Sequence, residues 1–374
     1  MIYFDNAATG GFKPRAVTDA AENVIRYLSA NPGRSGHRLS LTGAKIVNAA
    51  RVATAELFGA NPDRVVFTKN CTEALNVAIF GTLKVGGHVI TTIYEHNSVL
   101  RPLSALKNRG LIELDIVSPD QKGDIFTSIQ SAIKDNTYLI VTTAVNNVTG
   151  KELPVGKIGG FAKSKDIIYI VDGAQGGGHI SINIKRDGIS LLSLAGHKGL
   201  YGIMGSGALL IEDGLDVEPL IYGGTGTESF NLSQPTCYPE RLEAGTLNLP
   251  AIAALSEGVA FIMKNATNFS SHLYQATEYM IDQLKTIEKV KVYSSANSSG
   301  IVAFSIADIP SADVADILNA EYDVAVRGGL HCAPLTHGYL KTDAAGLVRA
   351  SLAVQNSTRE INYFLRAVNK IAYS

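Results

Sequence analysis

Between about residue 14 and about residue 250, short apolar runs alternate with longer amphipathic stretches, and a polar residue follows run after run. The runs at Arg64–Phe67, His88–Ile93, Tyr138–Thr143, Ile167–Val171, Leu191–Leu194 and Ala208–Ile211 read as strands. Several are continuous and rich in Val and Ile, as strands buried on both faces of a parallel sheet must be. Helices are expected between them, for example over Thr72–Leu83 and Leu153–Ser164. The alternation predicts an α/β layered domain. Its ligand site is expected where the carboxyl ends of the strands meet. Thr72, His96, Asn147, Asp172 and Lys198 follow five successive strands, so these side chains converge on one crevice if the sheet forms.

Beyond residue 250 the texture changes. Ala251–Lys264 and Ser271–Ile287 read as two helices, followed by a strand at Ile301–Ser305 and a helix at Ser311–Ala320 with Ser311 as its N-cap. Strands around Asp323–Arg327 and Leu347–Leu352 and a last helix near Thr358–Ala372 complete a smaller α+β unit. Two domains are therefore expected: a large one over residues 13–250, and a small one from residues 1–12 and 251–374. The 374 residues, 46% hydrophobic and 18% charged, suffice for two cores. A net charge of −1 implies no broad basic surface for nucleic acid. No apolar run reaches the roughly 18 residues of a membrane span. Cys71, Cys237 and Cys332 form an odd set at unrelated spacings. That argues for a reducing, cytoplasmic setting and against disulfides or a metal site.

Two of the polar breaks carry chemistry together. Lys198 lies in Ala195-Gly196-His197-Lys198-Gly199, where glycines let the backbone approach a ligand. A desolvated lysine amine condenses with an aldehyde to a Schiff base. Asp172, at the end of Ile167-Ile168-Tyr169-Ile170-Val171, is costly to bury without a partner. A protonated pyridine nitrogen is a suitable one, and Gln175 can donate to the phenolic oxygen of the same ring. An amine and a carboxylate so placed point to pyridoxal phosphate, which confines the chemistry to amino acids. The plainer reading of Asp172 is a helix N-cap, and the two are compatible.

Thr72 sits near a helix start, where free N–H groups favour a phosphate, although an ordinary cap is an equal reading. His197 is either a phosphate donor or a satisfied core histidine, and His96 offers a ring to stack on the cofactor and shuttle protons. Arg349, in Val348-Arg349-Ala350-Ser351-Leu352, requires an anion: a substrate carboxylate or a structural partner. Most free cysteines are buried apolar residues. Cys332 instead stands in Arg327-Gly328-Gly329-Leu330-His331-Cys332-Ala333-Pro334, on a loop by composition, with His331 placed to lower its pKa. Transamination has no use for such a thiol, whereas sulfur transfer does.

With these residues assembled, the chain resembles the class V aminotransferase family, in its group of cysteine desulfurases and selenocysteine lyases. The resemblance is carried by Tyr3-Phe4-Asp5-Asn6-Ala7-Ala8-Thr9, Glu95-His96-Asn97-Ser98, Asn147-Val148-Thr149-Gly150, Asp172-Gly173-Ala174-Gln175, Gly196-His197-Lys198, Glu243-Ala244-Gly245-Thr246 and His331-Cys332-Ala333-Pro334. It implies fold type I, with a mostly parallel seven-stranded sheet and a smaller α+β domain. It implies Lys198 as the Schiff-base lysine, Asp172 on the ring nitrogen, Gln175 on the phenolic oxygen and His96 stacked on the ring. Thr72 and His197 would bind the phosphate, with Cys71 beside them, and Asn147 would approach ring and substrate. Thr246 would reach the phosphate of a second subunit, which makes the protein a homodimer with shared sites. Arg349 would hold the substrate carboxylate, with Asn6 near it, and Cys332 would form the persulfide. The implied reaction removes sulfur from L-cysteine, giving L-alanine and a persulfide on Cys332 for a sulfur-acceptor protein. Selenocysteine lyase and another class V reaction on a small amino acid are the alternatives. Three positions depart from the pattern, one of them Cys71, which stands where a small or hydroxyl residue is common. Ala195 lacks the common hydroxyl, and the Cys332 loop carries one histidine before the cysteine, where the group II desulfurases have two.

Overall fold

The computed structural model describes residues 1–33, 35–121 and 123–374. Seven strands form one sheet in the spatial order Val65–Thr68, Gly207–Ile211, Leu191–Ala195, Ile168–Asp172, Thr137–Thr143, Gly87–Thr92, Ile112–Val117. The last five run parallel, and Gly207–Ile211 is antiparallel to both its neighbours. This is the mostly parallel seven-stranded sheet that the family resemblance implies. Apart from Ile168 at the start of one strand, its central strands are buried, which explains their unbroken apolar runs. The strand Ile112–Val117 escapes that pattern because it lies at the edge. There Ile112 and Leu114 are buried, whereas Glu113 and Ile116 are exposed, so no continuous buried run remains.

Helix Cys71–Gly81 follows the first strand and is capped by Asn70, whose side chain accepts from Glu73 N–H at 2.9 Å. Helix Asn97–Asn108 is capped by His96. Both helix N-termini therefore open at the carboxyl ends of their strands.

A second, four-stranded antiparallel sheet has the order Arg327–Gly329, Leu347–Ser351, Ile301–Ile306, Val290–Val292. Helices Ser311–Tyr322 and Thr358–Tyr373 cover it over a core that includes Phe4, Phe304 and Phe364. The N-terminal strand Ile2–Tyr3 pairs with Val324–Ala325, so the first residues join this second unit. Two expectations change. Pro310 occupies the N-cap position ahead of Ser311, whose hydroxyl donates to Ala345 C=O at 2.6 Å instead of capping. Residues 251–287 do not form two helices: one helix, Leu249–Lys285, runs through 37 residues. The polar stretch around Asn265 does not break it, because Asn265 Nδ2 folds back onto Phe261 C=O at 2.8 Å. Its first half buries Ile252, Leu255 and Val259 in the first core; its second half buries Met280, Ile281 and Leu284 in the second.

Candidate active site

All five strand-end residues, with Cys71, Gln175 and His197, line one pocket. Asp172 lies at its floor, 3% exposed, with Oδ1 accepting from Ala174 N–H at 2.8 Å and from the Cys71 thiol at 3.4 Å. The first contact is the cap-like one expected of a strand-end carboxylate. Burial and the neighbouring Asp172 push the Cys71 thiol well up, so it stays protonated as a donor. Lys198 faces the same carboxylate. Burial holds its amine below the ordinary value, Asp172 and Cys71 opposing that and Arg349 adding to it. Such a lysine spends more of its time as the nucleophilic free amine.

The glycines around Lys198 serve a different purpose from the one expected. A Cβ on Gly196 would meet Ser206 Oγ at 2.3 Å, and one on Gly199 would meet Gly177 C=O at 2.3 Å. Close approach is required here, but to the protein itself.

His96 Nδ1 accepts from Ser98 N–H at 3.0 Å, which fixes the ring at the helix start. Burial lowers its pKa, with Lys198 adding and Asp172 opposing. Thr72 Oγ1 and Ser98 Oγ lie 2.8 Å apart, so two hydroxyls from two helix N-termini meet at one spot. His197 Nδ1 contacts Thr9 Oγ1 at 3.0 Å, and burial beside Lys198 and Lys13 lowers it to about 4. Lys13 donates to His197 C=O at 3.1 Å and is itself lowered to about 8 by burial. A neutral histidine, a half-desolvated lysine and paired hydroxyls make a cluster suited to an anion.

Arg349 reaches the site from the second sheet. It is 2% exposed; Nη1 donates to Asn147 C=O at 2.9 Å and Nη2 to Asp5 Oδ1 at 3.1 Å, leaving Nε buried without a partner. Asn147 Nδ2 donates to His331 C=O at 2.7 Å, while its Oδ1 is buried without a partner. The structural reading of Arg349 is thus half met, and unused hydrogen-bonding capacity remains on both residues.

Cys332 is exposed, and His331 and Cys332 both adopt left-handed backbone, with φ of 51° and 57°. Two successive L residues in that region are strained and need fastening. Asn147 holds the first carbonyl, and Asn97 N–H holds the second at 2.7 Å. The loop is therefore tied to the helix that His96 caps. The expectation of a charged His331 beside the cysteine is not met. Burial, Arg349 and His337 push His331 down to about 3, and its Nε2 donates to Arg327 C=O at 3.2 Å. It is neutral at ordinary pH and supplies no positive charge.

Thr246, expected at the phosphate of a second subunit, and Asn6 do not line the Lys198 pocket. Thr246 is exposed and lines a separate groove with Phe67, Lys69 and Ile221, outside the Lys198 cavity. Asn6 gives its amide to Ser351 C=O at 2.8 Å and to Tyr3 C=O at 3.2 Å, and accepts from Gly11 N–H at 3.0 Å, so it fastens backbone. Gln175 donates to Ala7 C=O at 2.8 Å and keeps one amide hydrogen free of that bond.

Sequence reasoning missed Lys13, Ser98, Glu95 and Arg327. Arg327 stands directly opposite Arg349 in the ladder, an unfavourable pairing of like charges that an anion between them would relieve. Glu95 is fully buried below the site with Oε2 unpartnered. Among the described residues, no group of three or more His, Cys, Asp or Glu could hold a metal ion, and no helix is long and apolar enough to cross a membrane.

A sequence model of the class-V aminotransferases matches residues 2–364. A probable cysteine desulfurase of Pyrococcus abyssi is 32% identical over all of this chain and 95% of that protein. A probable cysteine desulfurase of Methanothermobacter thermautotrophicus is 29% identical over 99% of this chain and 94% of its own. Among solved structures, the apo cysteine desulfurase of Thermococcus onnurineus NA1 superposes with a TM-score of 0.92 at 31% identity. It covers all of this chain and 94% of that one. The cysteine desulfurase CsdA of Escherichia coli gives 0.88 at 25% identity, over 98% and 94%.

Proposed function

The chain belongs to the class-V aminotransferase family, and on that footing we propose that it is a pyridoxal-phosphate-dependent cysteine desulfurase. Pyridoxal phosphate is the cofactor of this family. The cavity fits it: a buried carboxylate and a desolvated lysine face each other across a space edged by anion-binding groups. Lys198, Asp172, Gln175 and His96 would hold its ring, and Thr72, Ser98 and His197 its phosphate. When bound it supplies an electron sink that loosens bonds next to the substrate amine.

The remaining work falls to the chain. Arg349 Nε binds the substrate carboxylate, and its two Nη groups, held by Asn147 and Asp5, fix the guanidinium plane. Lys198 Nζ takes the proton from the substrate α carbon. His96 moves a proton at its free Nε2, its Nδ1 being occupied by Ser98. Cys332 Sγ then bonds to the substrate sulfur as the Cβ–S bond breaks. The electron pair of that bond stays with carbon, which gains a proton, so L-cysteine and a thiol become L-alanine and a protein persulfide. No outside oxidant or reductant is needed.

One observation carries sulfur removal over amino-group transfer: an exposed thiol held in strained backbone by Asn147 and by the helix of His96. Strain kept at that residue serves no purpose in transamination. The test is alanine release from L-cysteine and from selenocysteine. With cysteine, Cys332→Ala should fall at least about a hundredfold, the scale on which a covalent nucleophile matters. Equal rates with and without the thiol would refute the proposal, and a preference for selenocysteine independent of Cys332 would favour the lyase.

We also read the chain as a homodimer of two-domain subunits, divided at residue 12 and, in place of the expected residue 250, within the helix Leu249–Lys285, whose first half packs in the first core. Leu220 and Ile221 are exposed apolar side chains that line the Thr246 groove, a surface of the kind that partners cover. Covering it with a second copy would bring Thr246 towards that copy's phosphate groups.

A further inference from the structure

Glu95 directly precedes His96, yet it takes no part in the steps above. Its side chain is fully buried. Oε1 accepts from Thr92 Oγ1 at 2.6 Å. Thr92 Oγ1 in turn accepts from Tyr94 N–H at 3.1 Å. The turn from Thr92 to His96 is therefore wrapped around this one carboxyl group. Asn146 steadies the same turn from outside, donating to Tyr94 C=O at 2.9 Å and to Thr336 Oγ1 at 3.0 Å.

No cation stands within ion-pair distance of Glu95 among the described residues, and Oε2 has no partner. The groups that face it from the next strand are Asp172, a second carboxyl, and Tyr169, a buried phenol. An ionised carboxylate with an empty oxygen and a like charge nearby is not tenable in such a place; a neutral acid is. Burial, with Asp172 adding and Thr92 and Thr143 opposing, raises its pKa to about 8.

We propose that Glu95 is a positioning residue: as a neutral carboxylic acid it holds the turn that presents His96 to the Lys198 cavity, and its ionisation releases that turn. This rests on the reading of His96 as part of the active site, and it supplies the enzyme with an alkaline limit. Above that limit the new charge faces Asp172 and seeks water, which it reaches only by opening the turn.

The experiment compares the parent holoenzyme with Glu95→Gln, Glu95→Ala and Thr92→Val. The readouts are the rate from pH 6 to pH 10, the infrared band of a protonated carboxylic acid, and the NMR signal of the His96 ring. The parent should show the acid band at pH 7, absent from Glu95→Gln, and a fall in rate centred near pH 8. Glu95→Gln keeps the shape and the acceptor oxygen but cannot ionise, so its fall should move up by about one unit or more. Glu95→Ala should lose about tenfold or more at pH 7 and shift the His96 signal, with Glu95→Gln restoring both. Thr92→Val removes a donor that favours the ionised form, so its fall should also move upward. An alkaline limb in Glu95→Gln that overlays the parent's would overturn the proposal, as would the absence of the acid band at pH 7. If no variant makes alanine, the infrared and NMR results still decide about Glu95, and the failure then belongs to the desulfurase reading.

Discussion

Removing Glu243 should cost far more stability than its place in an irregular loop suggests. Its carboxylate is forked onto Arg51, one contact being 2.9 Å from Nη1 to Oε1, with Nη2 meeting Oε2. It also accepts from Phe67 N–H at 2.6 Å. The two side chains are 9% and 6% exposed, and the guanidinium lies 4.8 Å over the Phe67 ring. Burial outweighs Arg51 in setting the acid's pKa, which is raised. Desolvation is therefore a large opposing contribution, and the pair is not a strong net stabiliser. Truncating one partner is another matter. Glu243→Ala strands a buried cation, a loss of about 3–5 kcal/mol against a total of about 5–15. It also strips Phe67 N–H of its acceptor, which adds about 1–3 kcal/mol. Replacing both residues with methionine removes both charges while filling the space, and should recover most of the first loss. The chain has no tryptophan, so urea unfolding is best followed by circular dichroism, with the parent, both single variants and the double variant measured together. A Glu243→Ala loss below about 1 kcal/mol, or a double variant worse than either single one, would refute the reasoning. The same variants should unfix the loop that carries Thr246.

Three more outcomes are expected. Between pH 4.5 and pH 8 the folded chain keeps a proton on Glu95 that the unfolded chain has lost. Stability should thus decline through that window by up to about 1.4 kcal/mol per pH unit from this group. Glu95→Gln should flatten that share of the slope in pH-resolved melts, and an unaltered slope would count against it. Arg349→Lys should raise KM for cysteine about tenfold or more while leaving the cofactor's spectrum alone, because lysine cannot hold both Asn147 and Asp5 and still fork onto a carboxylate. Unchanged KM would show that Arg349 is only a structural ion pair. His331, lowered to about 3, stays neutral from pH 5 to pH 8, so His331→Asn should leave the acid limb of the rate profile where it is; a displaced limb would mean that this imidazole titrates there.

The large sheet was legible because strands buried on both faces cannot hide their composition, and the polar residues after them had no other reason to recur. The edge strand Ile112–Val117 was not, since exposure at the sheet edge dilutes the apolar signal. Asp172, Lys198 and His96 could be named because each closes a strand. Glu95 occupies the same kind of position, but a carboxylate after a strand reads as solvated until burial is known. Lys13 reaches His197 only through the fold: its segment is brought there by the Gly10 N–H bond to His197 C=O at 3.0 Å. Arg327 was quoted in the sequence without a role, because facing Arg349 is a matter of register between strands 20 residues apart. The single helix Leu249–Lys285 was read as two because its middle turns belong to neither core and so lack an apolar stripe.

That helix sets a rule for how the chain can vary. Lys198 grows from the first sheet, whereas Arg349 and Cys332 grow from the second. The rod between the sheets acts as a keyed shaft. One residue inserted in its exposed middle, near Asn268, would turn everything beyond by about 100° and advance it about 1.5 Å. Both cores would then have to slip a tooth, or the guanidinium and the thiol would no longer address the lysine. Substitution on those wet turns should be tolerated freely, but a change in their number should not. The length of a segment that touches no ligand is thus under the same constraint as the residues that do.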